Sequence, residues 1–68
     1  MIKLTRLNGD DIWVNIDLIK FLESIPDTKI TFINSDMLLV KEDILTVVKK
    51  IEKYKTTILA LTGENNDA

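Results

Sequence analysis

The residues of this chain that could do chemistry are carboxylates, amines and a single indole. There is no cysteine and no histidine, so no nucleophile–histidine pair can form and no Cys/His set can hold zinc. Glycine occurs only at positions 9 and 63, which leaves no Gly-rich loop for a phosphate. The carboxylates that stand out are Asp10 with Asp11, Asp27, Asp36, and Glu42 with Asp43. Each falls at a turn or a helix start, where acidic side chains cap backbone N–H groups and aid solubility. Their spacing fits no EF-hand calcium loop, and neither metal nor cofactor is expected. An enzyme is not the expected reading.

Two features fit contact with a partner better than catalysis. Trp13 is the only tryptophan, and it follows an acidic turn. It either packs structurally, under a helix or on a sheet edge, or anchors a partner, since tryptophan is enriched at interface hot spots. The run Lys49-Lys50-Ile51-Glu52-Lys53-Tyr54-Lys55 sets four lysines against one glutamate. Such a run is commonly a solvated helix face that complements the helix dipole. The sharper reading is attraction to anionic lipid headgroups or to an acidic protein surface. The candidate partner-binding residues are therefore Trp13, Lys49, Lys50, Lys53 and Tyr54.

Residues 2–7 alternate with the two-residue period of a half-buried strand. Asn8-Gly9 tolerates positive φ, so the chain is expected to turn back through Ile12-Trp13-Val14 as a hairpin. Ile12 and Val14 would face away from Trp13. Asn15 either caps one helical turn or precedes a bulge at Asp17. Ile19–Ile25 reads as a third strand, with a short helix over 17–24 as the competitor. Pro26-Asp27-Thr28 is a turn in which Pro presets φ and Asp bonds the backbone ahead. Lys29–Ile33 is a fourth strand, Asn34-Ser35-Asp36 a turn, and Met37–Val40 a wholly apolar fifth strand.

The period changes at Lys41. Ile44, Val47, Val48, Ile51, Tyr54, Ile58 and Leu61 recur at three- and four-residue spacings, one stripe of an amphipathic helix. Asp43 is the better N-cap of the Glu42-Asp43 pair. Gly63 should stop the helix, with residues 63–68 as a disordered polar tail beyond a single domain of residues 1–62. The stripe packs on the chain's own sheet or, through its heptad-like register, on another helix. The fold class is α+β: a small bent antiparallel β-meander of about five strands followed by one C-terminal amphipathic helix. That helix is expected to cover one face and protect the fifth strand.

Sixty-eight residues make at most one domain, and no disulfide or metal supports it. With 46% hydrophobic residues the composition is that of a globular domain, and a homo-oligomer is favoured as the way to complete its core. The formal net charge of −2 and pI near 4.9 are unlike the basic footprint of a nucleic-acid binder. Charges break every apolar run well short of a signal peptide or membrane span, so a cytoplasmic protein is expected.

Five words in order along residues 1–58 resemble the FlbD/SwrD family of small flagellar and swarming-motility proteins. They are Thr5-Arg6-Leu7-Asn8-Gly9, Asn15 after a short strand, Pro26-Asp27-Thr28, Val40-Lys41-Glu42, and Tyr54-Lys55 in the final helix. The chain departs from the family in having Asn34-Ser35-Asp36 where Asn-Gly is usual. A different turn type, with Asn or Asp at positive φ, is expected there. It also carries Asp43 where the family more often has Ser, which keeps the capping ability. The resemblance implies a non-enzymatic protein supporting flagellar motor output or swarming, through contact with a motor or stator component and peripherally with the inner membrane. The alternatives are a small nucleic-acid-binding regulator and an assembly adaptor for flagellar subunits.

Overall fold

The computed structural model describes the backbone of residues 1–62 and the side chains of residues 1–58. The expected helix stop at Gly63 and the polar tail at 63–68 lie outside the described residues. Strands β1 (Ile2–Thr5) and β2 (Asp11–Val14) form a hairpin, and β3 (Ile19–Ser24), β4 (Thr28–Phe32) and β5 (Met37–Val40) form an antiparallel meander. A 3-10 turn over Ile16–Leu18 joins them, and helix α1 (Ile44–Thr62) follows β5. The α+β class, the five antiparallel strands and the C-terminal helix are as expected from sequence.

The sheet is split in two rather than continuous. The Asn15 side chain accepts from the Asp17 N–H at 3.0 Å, which caps the 3-10 turn and ends the hairpin. Residues 19–24 are strand, not helix. Their alternation is interrupted by a register shift between Ile19 and Phe21, so Ile19 and Leu22 both pack against the core while Phe21 is exposed.

What rejoins the two sheets is a junction between the end of β1 and the start of the helical segment. Arg6 makes an isolated antiparallel bridge to Val40, and the Lys41 N–H donates to the Thr5 carbonyl at 2.9 Å. The Glu42 carboxylate then takes both the Thr5 N–H and the Thr5 hydroxyl, each at 2.9 Å. Partial burial pushes the Glu42 pKa up, but the Thr5 and Glu42 N–H groups, the Thr5 hydroxyl and the charge of Lys50 outweigh it, and the net shift is downward. Asp43 takes the separate role of helix cap, with its Oδ1 accepting from the Thr46 N–H at 2.8 Å.

The core is formed by Ile2, Leu4, Val14, Ile16, Ile30, Leu38, Val40 and Val47, contributed by every element except β3. Helix α1 packs chiefly against β1 and β3. Ile44, Val48, Ile51 and Tyr54 are half-buried beside the buried Val47, whereas Ile58 is exposed. The helix stripe thus packs within the chain for three turns. A radius of gyration of 13.1 Å exceeds the roughly 11 Å of a compact domain this size, because α1, about 28 Å long, outruns the sheet. Protection of β5 by the helix is not what forms. Leu38 and Val40 point inward, while Met37 and Leu39 stay exposed on the outer face.

The β1–β2 and β4–β5 turns share one design. Gly9 N–H donates to the Arg6 carbonyl at 2.9 Å, and Arg6 N–H to the Asp10 carbonyl at 2.8 Å. Ser35, Phe32 and Asp36 repeat those bonds at 2.9 and 2.8 Å. In each turn an Asn side chain accepts from the Asp N–H two residues on, Asn8 from Asp10 and Asn34 from Asp36. The second turn therefore keeps the type of the first, and Ser35, not Asn34 or Asp36, takes the positive φ of 75° that Gly9 takes at 97°. At the 26–28 turn Asp27 acts through its main-chain carbonyl, which accepts the Ile25 N–H at 2.9 Å; the Ile25–Pro26 peptide is cis.

Ser35→Gly should raise the unfolding free energy by about 0.5–1 kcal/mol, because a side chain is removed from a left-handed position. Urea denaturation checks it. A carboxylate whose folded pKa is lowered stabilises above its ordinary value of 4.5 and loses that contribution as pH falls through the folded value. Glu42→Gln weakens the two hydrogen bonds from Thr5 and, with solvent screening of this part-exposed group, should cost about 1 kcal/mol at neutral pH. The variant should also lack the part of the acid destabilisation below pH 4.5 that Glu42 supplies, read from urea midpoints across pH.

Candidate docking surface

The hairpin register pairs Ile2 with Val14, Lys3 with Trp13 and Leu4 with Ile12. Alternation sends Ile2, Leu4 and Val14 into the core and leaves Lys3 and Trp13 side by side on the outer face. Trp13 is 64% exposed, so it neither packs under α1 nor fills a core site. Of the two packing positions expected for it, Trp13 takes the sheet edge, on β2, and not a place under the helix.

Across from this face, the helical period sets Lys50, Lys53, Tyr54 and Thr57 along one side of α1. The two sets of side chains, with Met1 and Ile2 at the start of β1, line a shallow, open groove of about 270 Å³. Tyr54 is half-buried against the core, which fixes the helix side of the groove. Tyr54 also borders a second hollow of about 300 Å³ with Ile16, Lys55 and Ile58.

Of the five residues singled out from sequence, Trp13, Lys50, Lys53 and Tyr54 meet at this groove. Lys49 does not line it. One position round the helix, Lys49 stands near the cap and adds to the lowering of the Asp43 pKa, which comes first from the Thr46 hydrogen bonds. Sequence reasoning missed Lys3 and Met1 as groove residues. Counting outward from the Asn8-Gly9 turn would have found Lys3, since it lies directly opposite Trp13.

The groove has an apolar wall and a cationic rim. Lys3 reaches Asp11 at 3.4 Å, an exposed pair of little energetic weight. Among the described residues Lys50 and Lys53 form no close ion pair, although the Lys50 charge also acts on Glu42. No cluster of three potential metal ligands is found among those residues. The arrangement can hold an apolar or aromatic side chain against Trp13 and Tyr54 while lysines meet a carboxylate or phosphate beside it.

On its other side Trp13 borders a larger cleft of about 450 Å³, with Leu18, Phe32, Met37 and Leu38 on the far wall. These residues come from three separate segments, and no local sequence signal links them.

Trp13→Ala should leave the unfolding free energy of the protein in dilute solution within about 0.5 kcal/mol, because the indole is mostly in water. Chemical denaturation followed by circular dichroism checks this, since the variant has lost its fluorophore.

Comparison with known proteins places the chain in a family. The FlbD family model, described as flagellar and swarming motility proteins, matches residues 1–59, which takes in all five strands, the Thr5–Glu42 junction and the groove. No curated protein and no solved structure matches the chain.

Proposed function

Since the chain belongs to the FlbD family, flagellar and swarming motility proteins, we propose that it is a non-enzymatic accessory of the flagellar motor. In this reading it acts in the cytoplasm, peripherally at the inner membrane, by protein–protein contact with a motor or stator component. The observation that carries it is the groove in which Trp13 and Tyr54 stand beside Lys50 and Lys53. An aromatic wall with a rim of lysines suits an acidic segment bearing one apolar anchor. Among the described residues no helix is long and apolar enough to cross a membrane, so recruitment to the motor would come from such a contact.

The groove also predicts which lysines matter. Lys50→Glu with Lys53→Glu should sharply reduce swarming at unchanged protein level, and Trp13→Ala should do the same. Lys49→Glu, off the groove, should swarm at close to the wild-type rate. Swarm expansion together with crosslinked pull-downs from motile cells provides the readout. Equal loss from all three lysines would point to diffuse charge, and no loss from any would remove the groove from the mechanism.

A further inference from the structure

Strand β2 lies at a sheet edge, because it pairs with β1 alone. Which of its main-chain groups are free follows from Thr5. The Thr5 carbonyl accepts from Lys41 and its N–H donates to Glu42, so Thr5 turns its main chain away from β2. Thr5 and Asp11 are therefore a non-hydrogen-bonded pair. Antiparallel alternation makes Leu4–Ile12 and Ile2–Val14 the bonded pairs and Lys3–Trp13 non-bonded again. Asp11 and Trp13 thus direct their N–H and C=O groups outward from the hairpin. Among the described residues no other element receives them.

The free edge opens onto the larger cleft beside Trp13. Four consecutive residues, Ile12 to Asn15, line it, as a strand does when it presents its edge and not one face. The far wall is apolar, and the lining carries one cation and one anion, Arg6 and Asp36. That balance favours no strongly charged occupant.

We propose that the edge takes the same strand of a second copy, giving a two-fold dimer in which β2 pairs antiparallel with β2, centred on Trp13. The strand is complementary to itself in this register. Trp13 meets Trp13 of the second copy with reciprocal N–H to C=O bonds, Ile12 meets Val14, and Asp11 meets the Asn15 amide. Centring on Asp11 would oppose two carboxylates, centring on Ile12 would set each carboxylate against an indole, and centring on Val14 would run into the 3-10 turn. Directly opposed residues point to the same face. The outer face of the dimer therefore carries the row Lys3, Trp13, Trp13, Lys3, an aromatic pair flanked by cations. Met1, Leu18 and Met37, at 55%, 43% and 64% exposure, border the same cleft and extend the contact beyond the strands. A stable interface needs about 1,000 Å² in total, more than one short strand pair supplies.

The dimer can be tested apart from any role in motility. Sedimentation equilibrium of the full chain should show the 7.8 kDa monomer giving way to a species of twice that mass as concentration rises. Tryptophan emission should shift to shorter wavelength over the same range. Asp11→Pro removes an edge N–H at the first residue of the strand without touching the β1 ladder, and Trp13→Lys sets like charges face to face. Both should weaken association at least about tenfold, with circular dichroism reporting that the variants remain folded. Trp13→Glu alone should also be monomeric, and its equimolar mixture with Trp13→Lys should recover the dimer, because position 13 faces only itself. A chain that stays monomeric throughout, a dimer indifferent to both Asp11→Pro and Trp13→Lys, or a mixture that does not recover would each overturn the proposal.

Discussion

The architecture depends on one carboxylate held between two parts of the chain. Glu42 closes on the N–H and hydroxyl of Thr5 while the neighbouring Lys41 N–H takes the Thr5 carbonyl. Without that junction the β1–β2 hairpin would be a separate two-stranded unit, and an isolated hairpin is at best marginally stable in water. With it, the hairpin is fixed to the end of β5 and to the entrance of α1. The helix cap at Asp43 is then set relative to β1, and the first three helical turns fall on the core. Two of the sequence words that carried the resemblance, Thr5–Gly9 and Val40–Glu42, hold the two halves of this one junction.

A chain this small cannot hide all its apolar surface. Among the described residues eight hydrophobic side chains are buried, while Met1, Trp13, Phe21, Met37, Leu39 and Leu45 are among the large ones left mostly in water or close to it. Their placement is uneven. Trp13 stands as a ridge between a cationic groove and a neutral apolar cleft, so one side chain contributes to two surfaces of different chemistry. In the proposed reading the groove takes an acidic partner and the cleft a second copy of the chain. The sheet edge, exposed because the hairpin pairs on only one side, is the geometric origin of the second surface.

Much of the fold was legible. Strand positions followed from two-residue alternation and the helix from its three- and four-residue stripe, and the β1–β2 and β4–β5 turns stood where Asn with Gly or Asp marked them. The illegible parts have particular causes. The bulge after Ile19 shifts the inward face of β3, and no residue type announces it. The burial of Leu38 and Val40 without helix cover for Met37 and Leu39 reflects where α1 lies, on β1 and β3. Lys49 and Lys50 are adjacent in sequence, yet only the second reaches the groove, because one helical residue turns by about 100°.

By itself the sequence determined what is decided within a few residues: four of the five strands, the helix and its Asp43 cap, where the chain turns, and which helix stripe is apolar. These depend on backbone preference and side-chain period, both local. Only the tertiary structure decided that the sheet splits, that Trp13 faces water, and that it meets Lys50 and Tyr54 across a groove. Those outcomes rest on contacts such as Thr5 with Glu42, 37 residues apart, whose partners are chosen by the packing of the whole chain and not by any local pattern.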